Sequence, residues 1–191
     1  MKFTRRFAIG LTTAVALMAF QGAAQAEVEK VTIAVGGKSL FYYLPLTIAE
    51  QRGYFKEEGV NVEIVDFAGG SKALQAVVGG SADVVSGAYE HTIKLQGKKQ
   101  YFTAFVQQAR APQIVLAVST KTMPNYKTLA DLRGKKIGVT APGSSTNMVA
   151  SFVLDGAGVN SKEVSFIGVG AGSGSVYGEG SGFASARSGF S

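Results

Sequence analysis

Residues 44–67, LPLTIAEQRGYFKEEGVNVEIVDF, contain the signals for a helix, a turn and a strand in direct succession. Apolar residues at helical spacing predict a helix over Leu44–Arg52, which Gly53 ends. The turn Tyr54–Gly59 follows, and alternating apolar and polar residues predict a strand over Val60–Phe67. A helix followed so closely by a strand is typical of an α/β protein.

The same alternation continues on both sides of this segment. Before it, the β-branched run Val31–Val35 predicts the first strand. After it, the sequence predicts a helix, a strand, a helix and a strand at Ser71–Val78, Ala82–Ser86, Tyr89–Gln96 and Tyr101–Gln107. Strands that alternate with helices favour a parallel sheet, so we interpret residues 27–108 as a first α/β lobe.

A second round of the pattern occupies residues 109–170, which we interpret as a partial second lobe. Its predicted strands and helices are Gln113–Ser119, Thr128–Arg133, Lys136–Thr140, Thr146–Asp155 and Val164–Val169, of which the second and fourth are helices. The remaining residues, 171–191, are rich in Gly and Ser and show no periodicity. Such a composition predicts a disordered tail.

Residues 1–26 have the three parts of a secretory signal peptide. Lys2, Arg5 and Arg6 form a basic start, an uncharged apolar stretch follows, and Ala24-Gln25-Ala26 matches the small-x-small cleavage pattern. The alternative is a membrane anchor, but the strongly apolar part is 14 residues long, against the roughly 20 that a spanning helix needs. We therefore predict cleavage after Ala26 and a periplasmic location.

Composition excludes several functional classes. The net charge of +6 falls partly in the leader and is not clustered, so no nucleic-acid partner is expected. The chain has no Cys, which excludes disulfides, thiolate metal sites and a cysteine nucleophile. His91 is the only histidine, so we predict no metal site, no cofactor and no catalytic residues.

Two glycine- and serine-containing loops occupy equivalent places in the two lobes. Residues 68–71, AGGS, and residues 141–146, APGSST, each follow a predicted strand and begin a predicted helix. The first N–H groups of a helix and the positive end of its dipole attract an anion, although serine in such loops also serves as an ordinary helix cap. Both loops are thus candidates for anion binding.

Several segments, taken in order, resemble one family of proteins. They are Gly36-Gly37-Lys38-Ser39, residues 46–63, Gly69-Gly70-Ser71, Gly79-Gly80-Ser81-Ala82-Asp83-Val84-Val85 and residues 129–139, LADLRGKKIGV. Together they resemble the nitrate/sulfonate/taurine solute-binding proteins of ABC transporters, a group related to the NMT1/THI5-like binders of thiamine-pyrimidine precursors. The order and spacing match from about residue 31 to residue 168.

The resemblance implies a two-lobed fold of the periplasmic-binding-protein type II class, here with an incomplete second lobe. It implies a monomer that holds a small anion or organic acid in the cleft between its lobes and delivers it to a permease in the inner membrane. Carried over by position, the ligand-binding residues would be Ser39, Leu40, Phe41, Tyr42, Gly70, Ser71, Gly87, Ala88, Tyr89, Glu90, Gln107, Thr140, Gly143, Ser144, Ser145 and Thr146.

Other interpretations stay open on the sequence alone. The same fold could carry an enzyme related to pyrimidine-precursor synthesis, although that chemistry favours more than one histidine. The chain could also be an exported module that binds a partner protein. Members of the family are usually longer, and no further helix is predicted after Gly174, so a truncated, non-functional descendant is a further alternative.

Overall fold

A computed structural model describes residues 30–111, 113–171 and 183–188 of the chain, the last of these ranges as backbone alone. The predicted signal peptide, residues 1–26, lies outside the described residues. The strands are β1 (Lys30–Val35), β2 (Asn61–Asp66), β3 (Val84–Ser86), β4 (Ile114–Val118), β5 (Lys136–Val139), β6 (Ser165–Gly168) and β7 (Phe183–Ser188). The helices are α1 (Leu44–Gln51), α2 (Tyr54–Glu57), α3 (Gly70–Val78), α4 (Glu90–Gln96) and α5 (Ser145–Gly156). Short 3₁₀ turns occur at Phe41–Tyr43, Leu129–Leu132 and Ser161–Glu163.

The first lobe is built on a parallel sheet with the strand order β2-β1-β3. Its central strand, β1, is covered on both faces, as is usual for parallel sheets. Ile33 and Val35 belong to a cluster with Leu46 of α1, whereas Ala34 packs with Ala73 of α3. Alanine on the α3 side lets that helix approach the sheet closely, which brings the start of α3 to the carboxyl end of β1.

The second lobe has a mixed sheet with the order β4-β7-β5-β6. Strand β7 pairs antiparallel with β4 and parallel with β5, and β5 pairs parallel with β6. The core of this lobe contains Ile137 and Val139 of β5 and Ala150 and Leu154 of α5, all four fully buried. Packing against β5 fixes the direction of α5, whose first turn follows the carboxyl end of that strand.

Strand β7 corrects one prediction. Residues 171–191 are predicted to be disordered, yet Phe183–Ser188 forms the strand that joins β4 to β5. The small side chains of FASARS give only a weak strand signal, and backbone pairing with β4 and β5 decides the structure of this segment. Residues 172–182 and 189–191 lie outside the described residues.

Two other predicted elements differ in the structure. Residues 101–107, predicted as a strand, form none, because β3 is the edge of the first sheet and no described strand lies beside it to pair with them. The predicted helix Thr128–Arg133 is a short 3₁₀ turn at Leu129–Leu132. There Asp131 Oδ2 accepts hydrogen bonds from Lys127 N at 2.8 Å and Thr128 N at 2.9 Å, and these two bonds lower the pKa of Asp131.

In the described part of the chain, we find no helix whose length and apolar character would let it cross a membrane.

Candidate functional site

Two loops, one from each lobe, meet face to face. The first, residues 68–71, leads into α3, and the second, residues 141–146, leads into α5. Ser71 N donates to Ser144 Oγ at 3.2 Å, the two serine hydroxyls are 3.1 Å apart, and Ser71 Oγ donates to the carbonyl oxygen of Pro142 at 3.1 Å. The starts of α3 and α5 are therefore joined across the cleft by direct hydrogen bonds.

Glycine makes this close approach sterically feasible. A Cβ atom at Gly36, just after β1, would overlap the backbone of Gly69 and Gly70. A Cβ atom at Gly69 would lie 2.9 Å from Cβ of Ala141 in the other loop and 3.0 Å from Ser144 Oγ. Because side chains at these positions would push the segments apart, the glycines bring β1, α3 and the second loop to one point.

A cavity of about 30 Å³ lies where the loops meet. Its wall combines hydroxyl groups, glycine backbone and apolar side chains, contributed by Gly36, Leu40, Tyr42, Tyr43, Gly70, Ala88, Ile114, Thr140, Ser144, Ser145 and Thr146. That volume holds about one water molecule. A ligand larger than water would therefore need more room than the loops leave between them here.

The second loop is held by a network of hydroxyl groups. Thr146 Oγ1 accepts a hydrogen bond from Thr140 N at 3.0 Å and shares another, also at 3.0 Å, with Thr140 Oγ1. Ser144 and Thr146 are almost fully buried. The N–H groups of Ser145 and Thr146 belong to the first turn of α5, where an α-helix provides no acceptor of its own. These donors sit at the positive end of a twelve-residue helix, so the wall they form suits an oxyanion.

Two tyrosines close the cavity on the side of the first lobe. The Tyr43 hydroxyl accepts a hydrogen bond from Gly36 N at 3.2 Å, and burial raises the pKa of Tyr43 to about 12. The Tyr42 ring meets the Tyr43 ring edge-on at 5.0 Å. Burial, and then the nearby Glu90 carboxylate, raises the pKa of Tyr42. Both hydroxyls therefore remain protonated at neutral pH and are able to donate hydrogen bonds.

Helix α4 brings three ionisable side chains toward the same region. His91 is 3% exposed, and burial lowers its pKa, an effect that Glu90 opposes and Lys94 reinforces. A Cβ atom at Gly70 would lie 3.2 Å from His91 Nε2, and one at Gly143 would lie 3.8 Å from Lys94 Nζ. Lys94 thus extends from the first lobe to the loop of the second.

Of the sixteen residues predicted to bind a ligand, eight line the cavity, namely Leu40, Tyr42, Gly70, Ala88, Thr140, Ser144, Ser145 and Thr146. Ser71 and Gly143 lie in the touching loops without lining it. Ser39, Phe41, Gly87, Tyr89 and Gln107 are exposed to solvent, and Glu90 is half-buried and does not line the cavity. Ligand contact by any of these residues stays a prediction.

Three further residues line the cavity that the sequence interpretation did not include. Tyr43 follows the predicted Tyr42, Gly36 directly follows the strand β1, and Ile114 begins β4. The Gly36-Gly37 pair is a signal that could have indicated Gly36. Nothing in the local sequence distinguishes Ile114 from a core residue, because only the approach of the two lobes brings it to the cleft.

A metal cluster and a second cavity would be the alternatives to this site. No group of three or more His, Cys, Asp or Glu side chains is close enough to hold a metal in the described ranges. A cavity of about 580 Å³ lies on the second lobe, around residues 122–126 and 134–136. It contains none of the predicted ligand-binding residues, so the small cavity between the lobes is the better candidate site.

Comparison with known proteins identifies the family of the chain. A family model described as NMT1/THI5 like matches residues 40–176. Among sequence relatives, YtlA of Bacillus subtilis, which is named as a candidate binding protein, is 30% identical over 66% of this chain and 37% of its own length. A 4-amino-5-hydroxymethyl-2-methylpyrimidine phosphate synthase of Schizosaccharomyces pombe is 26% identical over 58% of this chain and 31% of its own length.

Solved structures confirm the fold class. A protein of Bordetella bronchiseptica RB50 is 63% identical, with a TM-score of 0.78 over 82% of this chain and 50% of that one. The alkanesulfonate-binding protein SsuA of Xanthomonas axonopodis pv. citri, bound to MOPS, is 20% identical, with a TM-score of 0.56 over 83% of this chain and 54% of that one. The predicted α/β fold of the two-lobed periplasmic-binding type is therefore confirmed. The chain spans only about a third to a half of the length of these relatives.

Proposed function

Since this chain belongs to the NMT1/THI5-like family, we propose that it is the periplasmic solute-binding component of an ABC importer. It captures a small anion or organic acid, such as a sulfonate, nitrate or taurine, between its lobes. The observation that carries the proposal is the meeting of two helix starts, of α3 and α5, at a hydroxyl-lined cavity. Each helix start comes from a different lobe, so a ligand held there would join the lobes.

The wall of the cavity favours binding by neutral donors. The hydroxyls of Ser144, Ser145 and Thr146 and the first N–H groups of α5 are suited to the oxygens of a sulfonate, nitrate or carboxylate. The tyrosine rings add apolar contact for the organic part of a ligand. Hydrogen bonds to a charged group are worth about 1.5–3 kcal/mol each, so a few of them provide useful affinity.

Export and delivery complete the proposal. The leader at residues 1–26 supports secretion to the periplasm, and SsuA, a structural relative, is named as an alkanesulfonate-binding protein. On this proposal the protein works as a monomer without a cofactor. Its partner is a permease in the inner membrane, which receives the ligand when the lobes open.

An enzyme is the second candidate, and one group of relatives favours it. Several matching proteins are named as pyrimidine phosphate synthases, and the single His91 is buried beside the cavity. The two functions differ in what happens to the bound solute. Mass spectrometry of solutes recovered after binding would show them unchanged for a binding protein, whereas a product that disappears in His91→Ala would favour the enzyme.

Ligand titration of the purified protein tests the main proposal. We expect ethanesulfonate, taurine or nitrate to raise the melting temperature and to bind with measurable heat. Ser145 lines the cavity, and its hydroxyl has no hydrogen bond to another of the described residues. Because Ser145→Ala removes only this hydroxyl, it should weaken ligand binding about tenfold. Ser165→Ala, at an exposed position of β6, is the matched control and should bind like the unaltered protein. Absence of binding by all three compounds would overturn the proposal.

A further inference from the structure

Positive charge is divided unevenly between the two lobes. Residues 30–108 hold eight Lys and Arg against seven Asp and Glu, whereas residues 109–171 hold seven Lys and Arg against three Asp and Glu. Five of those seven basic residues fall within residues 121–136, which contain one acid. This segment is therefore an exception to the otherwise scattered basic residues of the chain.

Four lysines of this segment are exposed to solvent and together form what we call the basic face, namely Lys121, Lys127, Lys135 and Lys136. The fifth basic residue, Arg133, pairs with Glu163 at 2.9 Å. Among the described residues, none of the four lysines forms an ion pair with a carboxylate. The described part of the protein thus leaves the charge of the basic face without a direct counterion.

The basic face borders the cavity of about 580 Å³ on the second lobe. Lys135 and Lys136 line the wall of this cavity, and residues 122–126 line it as well. Lys121 and Lys127 directly precede and follow that run in the sequence. The four lysines are therefore gathered around one depression of the surface.

The rest of the wall adds little negative charge and some apolar surface. Asp131 is the one acid in the wall, and its Oδ2 already accepts hydrogen bonds from two backbone N–H groups, at 2.8 Å and 2.9 Å. Met123, Pro124 and Tyr126 supply the apolar part, and Tyr126 also has a hydroxyl group. The depression thus combines a surplus of positive charge with an aromatic side chain.

This depression is separate from the cleft. Strand β5 begins at Lys136, beside the depression, and its carboxyl end leads to the loop of residues 141–146 at the cleft. A strand of four residues is roughly 13 Å long, so the two places lie at opposite ends of β5. A partner on the basic face would therefore leave the cleft free to bind its own ligand.

Exposed lysines around an open depression suit a charged surface better than a protein partner. Lys is depleted from protein–protein interfaces, whereas each Lys near an anionic membrane adds to the attraction without needing one fixed geometry. A tyrosine is well placed at the boundary between lipid and water, because its ring is apolar and its hydroxyl is polar. Tyr126 meets this requirement within the depression.

We propose that the basic face is a docking surface for an anionic phospholipid bilayer. The lysine ammonium groups lie against the lipid phosphates, and Tyr126 lies at the boundary between headgroups and water. This inference goes beyond the proposed function and does not depend on what the cleft binds. For the importer proposed above, such docking would concentrate the protein at the membrane that holds its permease.

Co-sedimentation with vesicles tests this docking, using the secreted form without its leader, because an apolar leader would bind lipid by itself. We expect binding to vesicles of equal parts phosphatidylglycerol and phosphatidylcholine, and none to phosphatidylcholine alone. Lys135→Gln combined with Lys136→Gln should weaken binding about tenfold or more, since each lysine near such a surface contributes a factor of roughly five. In about 1 M salt, where the screening length is about 3 Å, binding should be lost.

Lys98→Gln combined with Lys99→Gln is the matched control. It removes the same charge from two adjacent exposed positions of the first lobe, and should change vesicle binding by no more than about twofold. Equal losses in the two double variants would overturn the proposal, because binding would then follow net charge and not the basic face. Circular dichroism of both variants should match that of the unaltered protein, so that lost binding is not lost folding.

Other partners of the basic face give different results. If the intact protein binds soluble glycerol phosphate as tightly as it binds the vesicles, the face is a site for a soluble phosphate and the proposal is wrong. If a polyglutamate peptide binds and the vesicles do not, the partner is an acidic protein and the proposal is wrong as well.

Titration with ethanesulfonate separates this inference from the proposed function. The Lys135→Gln, Lys136→Gln variant should bind ethanesulfonate like the unaltered protein, and Ser145→Ala should bind vesicles like the unaltered protein. Loss of vesicle binding alone would contradict the docking surface, and loss of anion binding alone would contradict the importer.

Discussion

His91 is a buried base in a protein that has no other histidine. Burial lowers its pKa below the ordinary 6.5, Glu90 opposes the shift and Lys94 adds to it. The unfolded chain protonates this residue near the ordinary value, while the folded chain resists protonation until the pH is lower. Folding therefore becomes less favourable as the pH falls through that range.

We expect the free energy of unfolding to fall between pH 7.5 and 5.5, and to fall less in His91→Gln. The glutamine variant keeps a polar side chain but has no group that titrates in this range. Urea unfolding at several pH values measures the difference. The pKa of Asp131 is lowered below 3.8, so protonation of this residue changes the free energy of unfolding only at lower pH and does not interfere with the measurement. If the free energy of unfolding changed equally with pH in the two proteins, His91 would take up a proton as readily in the folded chain as in the unfolded one.

The sequence predicts those site residues that have a local signal of their own. Glycine, serine and threonine at the start of a predicted helix identify Gly70, Ser144 and Thr146, which the structure places at the cavity. Exposed Tyr89, in contrast, is predicted from the same kind of position, after a strand, and does not line the cavity. The direction of a side chain after a strand depends on tertiary packing, which spacing along the chain does not encode.

Among the elements, the contact between the end of β1 and the start of α3 determines how the first half of the cleft is built. Asp66, at the end of β2, holds the segment after β1 by accepting hydrogen bonds from Gly37 N at 2.7 Å and Lys38 N at 2.9 Å. Gly36 lies in this segment, against the backbone of α3. The absence of a side chain there is thus a requirement of packing between a strand and a helix.

Gly36→Ala should destabilise the protein by about 1–3 kcal/mol, because the added methyl group would overlap backbone atoms that cannot rotate away. The urea concentration at which half of the protein is unfolded measures this loss of stability. Gly156→Ala, at the end of α5, is the matched control, since an added Cβ meets nothing within 4 Å. We expect that variant to be as stable as the original or up to about 1 kcal/mol more stable. A Gly36→Ala protein of unchanged stability would mean that β1 and α3 are not in close contact.

Elements with their own local pattern are predicted well, and elements that depend on distant partners are not. The predicted helix and strand of residues 44–67 match α1 and β2 within one residue at each end. Residues 101–107 have the apolar content of a strand but no neighbour in the described sheet, so they form none. Strand β7 shows the opposite case, since small side chains give a weak signal and pairing with β4 and β5 decides its structure.

At the scale of the whole molecule, the two lobes are joined by the hydrogen bonds between Ser71 and the second loop. Ser144 accepts from the backbone of Ser71 and pairs with its hydroxyl, and it is 1% exposed. Because the two residues belong to different lobes, their interaction energy reports directly on how firmly the lobes hold together.

A double-mutant cycle with Ser71→Ala and Ser144→Ala should give a coupling of about 0.5–1.5 kcal/mol in the free energy of unfolding. Ser81→Ala combined with Ser144→Ala is the control pair, because Ser81 follows the far end of the nine-residue α3. A helix of that length is roughly 13 Å long, so this pair should be additive. Additivity in both pairs would contradict a bond between the lobes.

The small volume of the cavity also constrains the kinetics of binding. A space of about 30 Å³ holds about one water molecule, so we expect a larger ligand to bind only after the two loops move apart. The observed association rate should therefore rise with ligand concentration and then level off at the rate of lobe opening. The chain has no tryptophan, so the fluorescence of its tyrosines, Tyr42 and Tyr43 among them, would report each encounter in a stopped-flow experiment.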